Sequence, residues 1–159
     1  MARLKHSNKS SSVRDQVFVS FSPSDKSYLE DIKKHFKPFK DKINFGGNDQ
    51  VLPGQNWKEE IEEAISKTKV IILLLSADFL ASDFIISNEL PSLLKAAEND
   101  GARILTVILR PCLYDIIDEL EDYKKMNPGN VPILSMDMME REELYVNLVR
   151  QTKRILGEK

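Results

Sequence analysis

The chain contains a single cysteine, Cys112. No disulfide can close within it, which excludes a small covalently stapled fold and suits a reducing compartment. Histidine is almost as scarce, with only His6 and His35. Neither C-x-x-C nor H-E-x-x-H occurs, so the motifs of a structural or catalytic zinc site are missing. There are 6 glycines, and Gly46-Gly47 lacks the spacing of a dinucleotide fingerprint or a phosphate loop. No sign of charge dominates: 23 basic residues face 25 acidic ones, for a net charge of -2. Bulk electrostatics therefore gives no reason to expect nucleic-acid binding. The longest apolar run, Val70–Leu75, is the length of a strand and far short of the ~20 residues of a membrane helix. The head also lacks the hydrophobic segment of a secretory signal. The expected location is the cytoplasm, with a membrane-bound parent protein left open.

What is present suits one domain. The chain has 159 residues, 42% of them apolar and 30% charged, enough for a sizeable core under a well-solvated surface. The basic, Ser-rich head has little to bury, so residues 1–13 are expected to form a flexible arm or linker and residues 14–159 the domain. Gln16–Phe21 reads as a short strand, and Ser24 or Asp25 as the cap of a helix carrying Tyr28, Leu29, Ile32 and Phe36. Asp41–Phe45 allows a second strand, followed by a long loop from Gly46 to Asn56. Trp57, Ile61, Ala64 and Ile65 mark the next helix, and Lys69–Leu75 a central strand. A helical region over Phe84–Ala97 is interrupted by Pro91. Arg103–Leu109 is a further strong strand, and Leu113–Met126 a short helix or irregular crossover. Val131–Leu134 is a weak last strand, placed at an edge because Pro132 cannot donate to a ladder. Leu144, Leu148, Val149 and Ile155 give an amphipathic final helix. Apolar strands alternating with helices predict a parallel sheet covered on both faces. The expected order is 3-2-1-4-5 or its flavodoxin-like equivalent, with the first strand central.

The segment Asp83-Phe84-Ile85-Ile86-Ser87-Asn88-Glu89-Leu90 follows the Val70–Leu75 run and its turn. It brings a carboxylate just past the C-terminal end of a strand, the edge where open α/β sheets bind ligands. Glu89 is thus a candidate catalytic group. From composition and spacing alone, the simpler reading is an acid favoured by a helix N-terminus. His35, beside Lys33, Lys34 and Lys37, reads as a surface histidine, and Cys112 as a packed one. The Met-rich segment Met136-Asp137-Met138-Met139 either fills a loop–helix junction or forms a contact surface.

Four boxes then carry a specific resemblance. The first is Val17–Ser22 followed by Ser24-Asp25; the second is Leu52-Pro53-Gly54-Gln55-Asn56-Trp57 with Ile61 and Ala64-Ile65. The third is Val70–Ser76 with Phe79–Phe84 and Asn88-Glu89-Leu90-Pro91; the fourth is Val107–Cys112. Together they resemble the Toll/interleukin-1 receptor (TIR) domain family over nearly the whole chain, most closely its bacterial branch. The resemblance implies a flavodoxin-like, three-layer α/β fold with five parallel strands. It implies cleavage of NAD+ between nicotinamide and ribose, giving ADP-ribose or a cyclic isomer. NAD+ would be the substrate, with no metal or added cofactor. It also implies activation by self-association through TIR–TIR contacts, and the effector role in a bacterial defence system with a sensor domain or partner protein. Direct contact with nucleic acid or membrane is not implied. The alternative within the family is a non-catalytic TIR–TIR interaction module.

Carried onto these positions, Glu89 matches the catalytic glutamate. Phe21 and Ser22 match the loop that lines the nucleotide pocket, with Lys26 the nearest basic candidate. Asp49 to Trp57 match the mobile loop, and Phe84 the aromatic position before the glutamate. The chain departs from common patterns at three points. Ile85 stands where Cys often follows the aromatic, and Glu89 lies one residue further on than in the usual eukaryotic pattern. Phe45-Gly46-Gly47-Asn48-Asp49 replaces a Trp-x-Asp.

Overall fold

The computed structural model describes residues 13–45 and 57–158, without the side chains of Lys40, Asp41 and Trp57. Residues 1–12 of the expected N-terminal arm and the loop from Gly46 to Asn56, Asp49 included, lie outside the described residues.

The chain forms a five-stranded, fully parallel sheet in the order 2-1-3-4-5, the flavodoxin-like arrangement. Its strands are β1 (Gln16–Ser20), β2 (Ile43–Phe45), β3 (Thr68–Leu75), β4 (Arg103–Ile108) and β5 (Lys124–Lys125). The middle position belongs to β3, whereas β1 is an interior strand flanked by β2 and β3. Composition accounts for this. Val70 to Leu75 are apolar at every position, and all six are 0% exposed. A strand covered on both faces needs this pattern, and each such side chain contributes about 1.5–3 kcal/mol on burial.

Helices cover both faces. On one, α1 (Lys26–His35) and α6 (Met138–Leu156) pack Leu29, Ile32, Leu144, Leu148 and Ile155 against Val17, Val19, Val70, Ile72 and Leu74. On the other, α2 (Trp57–Ser66), α3 (Ala77–Ala81) and α4 (Leu90–Asn99) pack Ile61, Ile65, Phe79 and Leu93 against Phe18, Ile71, Leu73 and Leu75. Successive strand residues point to opposite faces, so Val17 and Val19 serve one layer and Phe18 the other. Ser20 is in phase with Phe18 and therefore points to the layer of α2, α3 and α4.

The last strand is displaced from its expected place. Pairing with β4 occurs at Lys124–Lys125, after the short helix α5 (Asp118–Glu121). Val131–Leu134 is not a strand; Ile133–Ser135 forms a 3-10 turn. A side chain explains the difference. Asn127 Oδ1 accepts from the Ile108 N–H at 2.8 Å, and its Nδ2 donates to the carbonyls of Ile108 at 2.9 Å and Val131 at 2.7 Å. The amide thus pairs with β4 in place of a backbone, and Pro132 has no N–H to extend the ladder.

Two smaller expectations also shift. His35 is not a fully exposed surface residue: its side chain is 20% exposed, packs on the Tyr145 ring, and lies 3.6 Å from Glu142. The Met-rich segment divides its roles. Met136 is buried, Asp137 and Glu140 form a reciprocal capping box, and Met138 and Met139 stand exposed. Among the described residues, no helix is long and apolar enough to cross a membrane.

Candidate functional site

The site grows from the chain segment between β3 and α4. Ser76 follows the strand and caps α3, its hydroxyl accepting from the Phe79 N–H at 3.0 Å. Ser82 then accepts from the Ile85 N–H at 3.2 Å and starts a new helical turn. That turn, Ile85–Glu89, is a π turn: the Leu90 N–H bonds to the carbonyl of Ile85, five residues back. Pro91 follows, and it has no N–H to offer the carbonyl four residues before it. The predicted interruption at Pro91 is thus a change of helical register rather than a break. Wide turns of this kind occur often at functional sites.

Glu89 ends the π turn. It is 1% exposed, and the Ser20 hydroxyl donates to its Oε1 at 2.5 Å. Ser20 is itself fully buried at the C-terminal end of β1. Glu89 also lines a cleft of about 240 Å³ between α2 and the start of α4. Lys58 and Glu62 form one wall, and Ser87, Asn88, Pro91 and Ser92 the other. Larger cavities lie elsewhere, one of about 290 Å³ beside Met126, Met136 and Leu144, one of about 390 Å³ beside Lys124 and Arg150, and one of about 440 Å³ beside Phe39 and Lys153. None of the three is lined by a buried ionisable group, so the smaller cleft carries the chemical interest.

Of the residues anticipated around Glu89, none whose side chain is described lines the cleft. Phe21 is 3% exposed and joins the core on the opposite face of the sheet, with α1 and α6. Strand alternation puts it there. Ser22 is buried too, and its hydroxyl caps a 3-10 turn over Pro23–Asp25 by accepting from the Ser24 N–H at 3.3 Å. Neither lines the cleft, where both were expected. Lys26 is exposed at the start of α1, and Phe84 is half-buried against the core of the α2–α4 layer. Trp57 opens α2 through its backbone; its side chain, like Asp49, is outside the described residues.

Three polar residues at this edge were not anticipated as site residues: Ser20, Asp25 and Ser76. Asp25 is 1% exposed and accepts a short hydrogen bond from the Ser76 hydroxyl. Burial pushes its carboxyl above the ordinary value of 3.8; the Ser76 bond opposes this, nearby Asp78 adds to it, and Arg110 pulls it back. Among the described residues, Asp25 Oδ1 has no hydrogen-bond partner. Cys112 is half-buried, and desolvation pushes its thiol above 9.0, the reverse of what a nucleophilic cysteine needs. Among the described residues, no group of three potential metal ligands comes together. What the described residues gather at this edge is a fixed carboxylate.

A family profile for the TIR domain matches residues 17–142. The chain is 28% identical over 98 residues to the uncharacterized protein y4lF of Sinorhizobium fredii, covering 60% of this chain and 30% of that protein. It is 30% identical over 117 residues to the disease resistance-like protein DSC2 of Arabidopsis thaliana, covering 69% of this chain and 9% of that protein. The chain thus spans less than a third of the length of either relative. The crystal structure of the RPS4 and RRS1 TIR domain heterodimer is similar with a TM-score of 0.59 and 16% identity, covering 90% of this chain and 99% of that one. The TIR domain of the Toll-related receptor TRR-2 from Hydra magnipapillata gives 0.56 and 20%, covering 86% and 97%. At these identities the two structures speak to the fold.

Proposed function

The chain belongs to the TIR domain family, and on that premise we propose that it is an NAD+ glycohydrolase with Glu89 as its catalytic residue. One observation carries the reading: a buried carboxylate, held by a serine, lines a cleft at the C-terminal edge of a parallel sheet. The reaction breaks the bond between nicotinamide and C1′ of ribose. Nicotinamide leaves neutral, with the bonding electron pair, and positive charge develops on the ribose. A carboxylate held beside that carbon lowers the barrier electrostatically, most of all where water is excluded. Water then adds its oxygen to C1′ and releases a proton, giving ADP-ribose. Attack by a nucleophile within the same molecule gives a cyclic isomer instead. NAD+ is the substrate, and the step needs no added cofactor.

The cleft is small for this substrate. At about 240 Å³ it falls below the ~300–1,000 Å³ usual for small-molecule sites, so it suits one end of a dinucleotide. A neighbouring domain would complete the site, exclude water and hold the other half of the molecule. Self-association then becomes the switch, because a signal that raises local concentration raises activity by mass action. This fits the effector of a bacterial defence system acting on cytoplasmic NAD+, under the control of a sensor domain or partner.

A second reading is a non-catalytic TIR–TIR interaction module. The 1% exposure of Glu89 favours it, since a carboxylate so deeply buried also serves as a structural anchor.

The test is chromatographic separation of NAD+, nicotinamide, ADP-ribose and cyclic isomers over a range of protein concentrations, for wild type and Glu89→Gln. Nicotinamide release that rises more than linearly with wild-type concentration, and that is lost in the variant, supports the enzyme. Assembly without release, or equal release by both proteins, leaves the interaction module.

A further inference from the structure

We infer that Ser20 is the positioning residue of this site, orienting the Glu89 carboxylate through the bond from its hydroxyl to Oε1. The inference rests on the reading of Glu89 as the catalytic group and adds a second residue to it.

The two residues are 69 positions apart and meet through the layering of the fold. Ser20 ends β1, an interior strand paired on both sides. Its hydroxyl therefore stands on one of the most firmly held parts of the chain. Glu89 stands on the opposite kind of support, a π turn at a change of helical register. A glutamate has three side-chain torsions, and a catalytic carboxylate must be held within about 0.5 Å of its working position. The bond from the strand ties the carboxylate of that turn to the sheet. At 2.5 Å it lies at the short end of the range for a hydroxyl donating to a charged oxygen. Both groups are buried, where such a bond is electrostatically stronger than in water.

The hydroxyl also bears on the charge of Glu89. Donation to a carboxylate favours the ionised form, the form needed to stabilise a developing cation. Among the described residues, the polar groups that line the cleft with Glu89 are Lys58 and Glu62 from α2, Ser87 and Asn88 on its own turn, and Ser92 of α4. All of them remain when Ser20 alone is changed.

A purely structural bond would predict something different. Its loss would loosen the packing of α4 on β1 without acting selectively on turnover. Three variants separate the two roles: Ser20→Ala removes the donor, Ser20→Thr keeps it, and Ser20→Cys supplies a weaker one. In assembled protein that folds as judged by thermal unfolding, Ser20→Ala is expected to lower kcat about 10- to 100-fold. KM should stay within about twofold, because the group acts on the transition state. Ser20→Thr should restore kcat to within about threefold of wild type. If Ser20→Ala does not fold, Ser20→Cys replaces it, with an intermediate loss of kcat expected from its weaker donor. Full activity in the variant lacking the donor, or no recovery in the folded threonine variant, overturns the inference.

A readout independent of turnover accompanies these assays. The Glu89 carboxyl carbon, assigned by its loss in Glu89→Gln, is followed by NMR as a function of pH. Without the Ser20 hydroxyl it should titrate at higher pH than in wild type; an unchanged curve overturns the positioning role. Wild-type protein without turnover at any concentration overturns the NAD+ reading alone, and the titration then still decides whether Ser20 controls Glu89.

Discussion

Asp25 and Glu89 are both buried at the C-terminal edge of the sheet, each 1% exposed and each accepting a serine hydroxyl. They differ in what surrounds the pair. Asp25 joins the turn after β1 to Ser76 at the end of β3, and Ser76 also caps α3. That pair ties two loop segments together. Glu89 borders a cleft, stands on a π turn and takes its bond from a strand. Burial and a serine partner are therefore insufficient to single out a candidate carboxylate. The opening beside Glu89 and the unusual backbone beneath it set it apart from Asp25.

Isosteric removal of each charge tests this contrast with the largest expected effect. Glu89→Gln should reduce nicotinamide release at least about 100-fold with little change in thermal unfolding. Asp25→Asn should leave release within about threefold. Equal losses in a chromatographic assay would erase the distinction.

Removal of each serine should separate the pairs by stability. Ser76→Ala deletes a helix cap, worth about 1 kcal/mol. It also leaves a buried carboxylate without its donor, at a further ~1–3 kcal/mol. The midpoint of thermal unfolding should fall by roughly 5–10 °C. Ser20→Ala deletes no cap and should cost less stability than Ser76→Ala. The reverse order, measured by calorimetry, would make the Glu89 pair the structural one.

Pro91 bears on the turn alone. Pro91→Ala restores an N–H and allows an ordinary helical register through Glu89. Stability should rise by up to about 1 kcal/mol while kcat falls roughly threefold to tenfold. Unfolding and turnover measured on the same preparation check the pairing of gain and loss. A variant gaining both would show that the register has no bearing on catalysis.

The smallest effect concerns pH. Burial, the largest influence on Asp25, raises its carboxyl above 3.8 in the fold. The folded chain then holds this proton more tightly than the unfolded chain. Its contribution to stability is complete below 3.8 and is lost as pH rises through the raised folded value. Urea unfolding of wild type and Asp25→Asn across this range should show the wild type losing stability relative to the variant as pH increases. Parallel curves would mean that Asp25 titrates alike in both states.

Much of the architecture could be read locally because the signals were local. Six consecutive apolar residues at Val70–Leu75 are compatible with a strand buried on both faces, and Leu144, Leu148 and Ile155 with one face of a helix. Local signal failed at β5. Val131–Leu134 has a strand-like composition, yet Asn127 satisfies β4 by side chain and Pro132 cannot extend a ladder. Two lysines pair instead, a choice made by the reach of the crossover rather than by propensity.

The site divides in the same way. Glu89 was legible because its position after a strand is a matter of chain order, and the family motif marks it. The family resemblance puts Phe21 in the loop that lines the pocket, but alternation sends Phe21 to the opposite layer. By itself the sequence determined the alternation of strands and helices, the apolar strand Val70–Leu75 and the candidate carboxylate. Each depends on neighbours within a few positions along the chain. Only the tertiary structure decided that Ser20 would meet Glu89 and that Ser76 would meet Asp25. Those contacts depend on strand phase, helix register and layer packing together, and no short stretch of chain contains all three.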